Sequence, residues 1–62
     1  MKMYSTTTLS TDVYLANYDV TLLAGEVGTV VEKLSDNCYL VEFCDEAGRT
    51  KGMLEVSKSA DA

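Results

Sequence analysis

The segment Cys38–Cys44 alternates between apolar and polar residues with a period of two. Tyr39, Val41 and Phe43 share one face, and Glu42 lies on the other. A period of two is the pattern of a half-buried β-strand, whereas no stretch of the chain shows the 3.6-residue period of a helix. The segment therefore predicts an all-β fold without substantial helix.

Turn signals divide the rest of the chain into further short strands. Asp36 and Asn37 precede the central segment, and Asp45-Glu46-Ala47-Gly48 follows it. Asn and Asp favour turns because their side chains bond the local backbone, and a glycine that ends a short loop fits a type I turn with a bulge. The predicted strands are Asp12–Ala16, Val27–Leu34, Cys38–Cys44 and Arg49–Val56, with Thr50, Gly52, Leu54 and Val56 on one face of the last.

The segment between the first two predicted strands carries two bends. Residues 17–19 predict a turn of the same polar kind. Gly25 and Gly28 predict a tight bend, at which the chain needs a positive φ or a close backbone approach. A fifth strand is left open between three sources: the N-terminal arm, the apolar segment Val20–Leu23, and another chain.

The length of the chain limits the core that these strands can build. Sixty-two residues make one domain, which buries only about 60% of its unfolded surface. Curling the sheet into a small barrel of about five antiparallel strands covers its apolar face and limits open edges. We expect an N-terminal arm or edge strand over 1–11, the barrel over 12–57 and a flexible tail over 58–62. Since little volume hides the apolar surface, a homodimer or higher oligomer is expected.

Charge and residue types restrict the function. Ten acidic against five basic residues give a net charge of −5, which argues against nucleic acid because such binding neutralises phosphates. A basic protein partner is favoured, although the charge also serves solubility. The chain has no histidine, so a Ser/His or Cys/His catalytic pair is impossible and a zinc site is not expected. We expect no catalytic residue, no metal and no cofactor, and hence a protein that is not an enzyme.

The cysteines and the apolar runs indicate the compartment. Cys38 and Cys44 lie on one strand, about 20 Å apart at ~3.3 Å per residue, whereas a disulfide needs Cα atoms within about 7 Å. Two reduced thiols are therefore expected. No apolar run approaches the roughly 18 residues of a membrane span, and no apolar leader follows Met1. These features predict a cytoplasmic location.

Three motifs resemble one family. GEVGTVVE at 25–32, YLVEF at 39–43 and GRT at 48–50 are similar to a family of small bacterial proteins known only as a domain of unknown function, over Asp12 to Ser57. The resemblance implies an SH3-like barrel, no cofactor, and a role as the small partner of a neighbouring gene product, such as an antitoxin or immunity protein. The chain departs from the family pattern in the loop Asn17–Thr21, which lacks prolines, and after Ser57, where the terminal apolar strand is missing.

The same glycine-rich element has a second resemblance. The pattern G-x-x-G-T-V at 25–30 is similar to KOW-type SH3-like barrels of ribosomal and transcription proteins. That resemblance implies, as an alternative, a nucleic-acid-binding or ribosome-associated barrel.

Four residues are candidates for partner binding: Tyr14, Tyr18, Leu40 and Glu42. Tyr14 is expected to point away from its apolar neighbours, and tyrosine is frequent at binding hot spots. SH3-like barrels often present aromatic grooves to peptides. Leu40 beside Glu42 indicates a half-covered outer face, while Tyr39 is expected in the core. A small enzyme or ligand-binding barrel would need a pocket built between chains.

Overall fold

The computed structural model describes residues 2–57, which contain no helix. Its strands, in chain order, are β1 (Thr6–Thr8), β2 (Val13–Leu15), β3 (Val20–Leu22), β4 (Val27–Ser35), β5 (Cys38–Cys44) and β6 (Thr50–Ser57). The predicted all-β class is confirmed, with six strands in place of about five. The extra strand arises because the N-terminal arm and the apolar segment after the first turn each supply one. The predicted tail, residues 58–62, lies outside the described residues.

The strands form two antiparallel sheets. Four strands lie in the order β1-β4-β5-β6, and β2 and β3 make a separate hairpin. β4, β5 and β6 are a meander of consecutive hairpins, whereas β1 reaches β4 through the pairing of Thr6 with Thr29. Antiparallel pairing is confirmed throughout, and the SH3-like type stays a prediction.

One bulge changes the face assignment of β6. Glu42 pairs with Met53 and Phe43 with Gly52, but Cys44 pairs with Thr50. Lys51 is therefore the extra residue of a β-bulge, which moves the residues before it to the opposite face. Thr50 lies on the outer face, where its hydroxyl donates a hydrogen bond to the Glu42 carboxylate. The prediction that Thr50 shares a face with Gly52 was wrong for this reason.

The core lies on the inner face of the large sheet. Within residues 2–57, five hydrophobic side chains are buried: Leu22, Val30, Tyr39, Val41 and Phe43. Leu9, Leu15, Leu54 and Val56 pack around them and are partly buried. The three core residues predicted from the alternation of β5 are confirmed. Each fully buried side chain of this size contributes about 1.5–3 kcal/mol.

A glycine lies beside Phe43 on each neighbouring strand. A Cβ added at Gly28 on β4 would lie 2.6 Å from Cγ1 of Val41 and 2.8 Å from the Phe43 ring. Gly52 on β6 is the register partner of Phe43. The Phe43 ring thus occupies the space that a side chain would fill at Gly28, whereas at Gly52 the nearest side chain is that of Leu15. Of the two glycines predicted to mark a bend, Gly25 has φ +94° and Gly28 gives the close approach.

The β5–β6 turn has the predicted geometry. The Gly48 N–H donates to the Asp45 carbonyl at 3.0 Å, and Gly48 has φ +82°. Oδ1 of Asp45 accepts hydrogen bonds from the backbone N–H groups of Ala47 and Arg49 at 2.9 and 3.0 Å. A type I turn closed by a left-handed glycine therefore sets the register of β5 against β6.

Candidate functional site

The turn of the β2–β3 hairpin is made by residues 16–19. The Tyr18 N–H donates to the Leu15 carbonyl at 3.1 Å, and the Asp19 N–H donates to the Ala16 carbonyl at 3.3 Å. Asp19 closes the turn with φ 51°, a left-handed conformation that aspartate tolerates better than most residues. The polar turn predicted at this place is confirmed.

This hairpin packs on β6 at Gly52. A Cβ at Gly52 would lie 2.5 Å from Cδ1 of Leu15, 3.5 Å from Cγ1 of Val20 and 3.7 Å from Cγ of Tyr18. The missing side chain of Gly52 is thus what lets both ends of the turn approach the strand. Gly52 therefore helps to position the side chains of the β2–β3 hairpin that lie next to it, Leu15, Tyr18 and Val20.

A small concavity lies between the turn and β6. Its volume is about 180 Å³, and its lining residues are Tyr14, Leu15, Ala16, Asn17, Tyr18 and Met53. Tyr14 and Tyr18 are 61% and 45% exposed, so both rings stay accessible to solvent. Small-molecule pockets usually measure about 300–1,000 Å³. The concavity therefore has room for one side chain rather than for a cofactor.

A carboxylate is hydrogen-bonded to one of the residues that line the concavity. The Tyr14 hydroxyl donates a hydrogen bond of 3.0 Å to Oδ1 of Asp19. This bond fixes the end of the Tyr14 ring and keeps the negative charge of Asp19 beside it. Within residues 2–57 the ion pairs are Lys33 with Asp36 and Lys51 with Glu26, so no cation of the described part pairs with Asp19.

The structure brings the four sequence-predicted residues together only in part. Tyr14 and Tyr18 line the same concavity. Glu42 is half-buried on β5 and pairs with Met53, which lines the concavity from β6. Leu40, also half-buried, is two residues away along β5 and pairs with Glu55. The two tyrosines therefore share the concavity, whereas Glu42 and Leu40 lie on β5 and are not among its lining residues.

The sequence analysis did not predict four of the lining residues: Leu15, Ala16 and Asn17, which belong to the same hairpin as the tyrosines, and Met53. Met53 stands on β6 between Gly52 and Leu54, two positions that the alternation assigns to the inner face. The same alternation assigns Met53 to the outer face with Glu55. In the sequence, Met53 could have been recognised as a candidate because it is an apolar residue on a face that otherwise carries charged residues.

A protein-family profile matches residues 3–60 of the chain. The chain belongs to the family described as domain of unknown function DUF4926. The predicted membership of a small family of unknown function is thereby confirmed, and the six strands of the described residues lie inside the matched range. No curated protein and no solved structure matches the chain significantly.

An ion pair between Lys51 and Glu26 joins two parts of the DUF4926 domain next to Gly52. Nζ of Lys51 lies 2.7 Å from Oε1 of Glu26, and Oε2 of Glu26 accepts a hydrogen bond of 2.8 Å from the Leu23 N–H. The Lys51 hydrogen bond, and after it the Leu23 hydrogen bond, lower the pKa of Glu26 below its ordinary value. The pair joins the β3–β4 turn to the bulge of β6, the strand that carries Met53.

Other chemical groups of the DUF4926 domain are dispersed. Residues 2–57 hold no group of three or more His, Cys, Asp or Glu side chains placed to bind a metal. Cys38 and Cys44 are free thiols, the first half-buried and the second exposed. In the described range no helix has the length and apolar character needed to cross a membrane.

Proposed function

We propose that this DUF4926 domain is a non-enzymatic protein-interaction module that binds its partner at the concavity. The observation that carries the proposal is that two exposed tyrosines and Met53 line one concave surface. Tyrosine offers a large, rigid contact area with few rotatable bonds. Aromatic residues of this kind are frequent among the residues that dominate binding energy.

The size of the concavity and the charge of the chain favour a protein over a small molecule. About 180 Å³ accepts a side chain that a partner inserts, but is small for a substrate and catalytic groups together. A net charge of −5 favours a partner with a basic surface, because complementary potentials steer association. Glu42 and Leu40 would widen the contact along β5.

The finer form of the proposal follows the family resemblance. The domain would be a cytoplasmic SH3-like barrel that binds the product of a neighbouring gene, as an antitoxin or immunity protein does. Self-association would proceed at the edge of β6, which within residues 2–57 is hydrogen-bonded only to β5.

Quantitative capture of a partner tests the proposal. The full chain, carrying an affinity tag, is expressed in its native host, and Tyr18→Ala is compared with Tyr4→Ala. Tyr4 is 74% exposed and does not line the concavity, so it is a matched control. We expect a stoichiometric protein with the wild type and with Tyr4→Ala, and a loss of about tenfold or more with Tyr18→Ala.

Three results would contradict it. The first is the absence of any stoichiometric protein, and the second is equal capture by both variants. The third is capture that nuclease abolishes, which would support a nucleic-acid-binding barrel instead. Circular dichroism of each variant, compared with the wild type, shows that the variants are folded.

A further inference from the structure

We propose that the concavity receives one basic side chain, a lysine or an arginine, from the surface of the partner protein. This inference rests on the proposed function, since it specifies which chemical group of the partner the concavity binds. It depends on two observations: the aromatic lining, and the Asp19 carboxylate bonded to Tyr14, with which no cation of residues 2–57 forms an ion pair.

The lining residues suit both parts of a lysine or arginine side chain, the charged group and the methylene groups that carry it. A cation is attracted to the face of an aromatic ring within about 6 Å of its centre, and Tyr14 and Tyr18 both line the concavity. The thioether of Met53 is polarisable and adapts to irregular shapes, so it can pack against the methylene groups of a lysine or arginine. About 180 Å³ provides space for one such side chain.

The negative charge of Asp19, next to Tyr14, favours a cation. Oδ1 of Asp19 accepts the Tyr14 hydroxyl at 3.0 Å, which leaves the charge of the carboxylate in place. Lys51, the cation of the described part that lies on β6, is held 2.7 Å from Glu26 and is therefore engaged elsewhere. Glu42, the register partner of Met53, is not a lining residue, and its carboxylate accepts a hydrogen bond from the Thr50 hydroxyl.

Other occupants fit the same surface less well. An acidic or phosphorylated side chain would be repelled by Asp19. An apolar side chain would gain from contact with the rings, but it would remove water from Asp19 without giving the carboxylate a partner, which is costly. A lysine or arginine supplies both the stem and the compensating charge.

The backbone of Asp19 provides a selective test. Asparagine tolerates a left-handed φ such as the 51° of Asp19, and its amide oxygen can still accept the Tyr14 hydroxyl. Asp19→Asn therefore removes the charge while it keeps the turn and the hydrogen bond. Glu46→Gln is the matched control, because it removes one charge at the exposed tip of the β5–β6 turn.

The first experiment is a titration of the isotope-labelled full chain, followed by NMR, with blocked tripeptides as probes. The probes are Gly-Lys-Gly, Gly-Arg-Gly and Gly-norleucine-Gly, the last being a neutral match for lysine. We expect saturable shifts at residues 14–19 and at Met53 with a basic probe, and binding weakened about three- to fivefold by Asp19→Asn. Glu46→Gln should leave the affinity within about twofold.

Several results would overturn the inference: no saturable shift with either basic probe, norleucine binding as well as lysine, or equal weakening by both charge variants. Partner capture separates this failure from that of the proposed function. If Tyr18→Ala abolishes capture but Asp19→Asn leaves it unchanged, the interaction module stands and the basic occupant is wrong. If neither variant reduces capture, both proposals fail.

Discussion

At the scale of single residues, Phe43 organises the packing because a glycine lies beside it on each side. Its ring would be 2.8 Å from a Cβ at Gly28, and it pairs in register with Gly52 on the other strand. The buried ring covers Gly28 and protects the ladder that this glycine would otherwise weaken. The two glycines are nevertheless unequal, because different side chains crowd them.

Replacing each glycine by alanine should reveal that difference. At Gly28 the new methyl group meets Val41 and Phe43, which are buried and cannot move aside, so we expect a loss of about 2–3 kcal/mol. At Gly52 it meets the flexible end of Leu15 at 2.5 Å, which can rotate away, so the loss should be about 1 kcal/mol. Urea unfolding measures both, and equal losses would contradict the packing described.

The Glu26–Lys51 pair makes stability depend on pH. Because the folded state lowers the pKa of Glu26, the pair stabilises the fold fully above the ordinary glutamate pKa of about 4.3. That stabilisation is lost as the pH falls through the lower folded-state pKa. Glu26→Gln should therefore lose stability near neutral pH and flatten the profile below about pH 4.3.

Urea unfolding between neutral and acidic pH measures this effect. Glu46→Gln, at the exposed tip of the β5–β6 turn, is the control and should keep the wild-type profile. The interpretation is wrong if Glu26→Gln and the wild type lose stability in parallel as the pH falls.

At the scale of elements, a strand was predictable from the sequence where one of its faces is apolar. A strand that is defined only by its hydrogen bonds to a neighbouring strand was not predictable. β5 alternates clearly, and its predicted bounds match the structure. β1 is Thr6–Thr8, without an apolar face, so only its pairing with β4 identifies it. The bulge at Lys51 was also not predictable, because it depends on the register between β5 and β6 rather than on the residues of β6.

The candidate site was predictable to a similar extent. Tyr14 and Tyr18 could be chosen because exposed tyrosines near a turn are detectable in a sequence. Their meeting with Met53 depends on the close approach of the hairpin to Gly52, which is a property of the tertiary structure. Local patterns therefore identify the contributing side chains but not the surface that they share.

The β5–β6 turn allows a test at this scale. Gly48 has φ +82°, where a Cβ costs about 1–2 kcal/mol, and it has open space around it. Gly48→Ala should therefore destabilise the domain by about 1 kcal/mol through backbone strain alone. Glu46→Ala, in the same turn, should change stability by less than about 0.5 kcal/mol. A neutral Gly48→Ala in thermal unfolding would refute this account of the turn.

At the scale of the whole molecule, the small core and the open edge of β6 matter together. The five buried hydrophobic residues of the described part make a limited core, and an edge strand presents unpaired backbone groups to other chains. We expect a dimer at micromolar concentration. Multi-angle light scattering should give twice the monomer mass, and a monomer that persists as the concentration rises would exclude self-association in this range.

The order of the strands also has a kinetic consequence. β4, β5 and β6 are joined by tight turns, so their pairing closes only short loops, whereas β1 pairs with β4 across the entire β2–β3 hairpin. Closing the longer loop costs more chain entropy, and local pairings form faster. We therefore expect the meander to assemble first and β1 to dock last, so amide hydrogens should exchange most slowly in β5 and first at Thr6–Thr8.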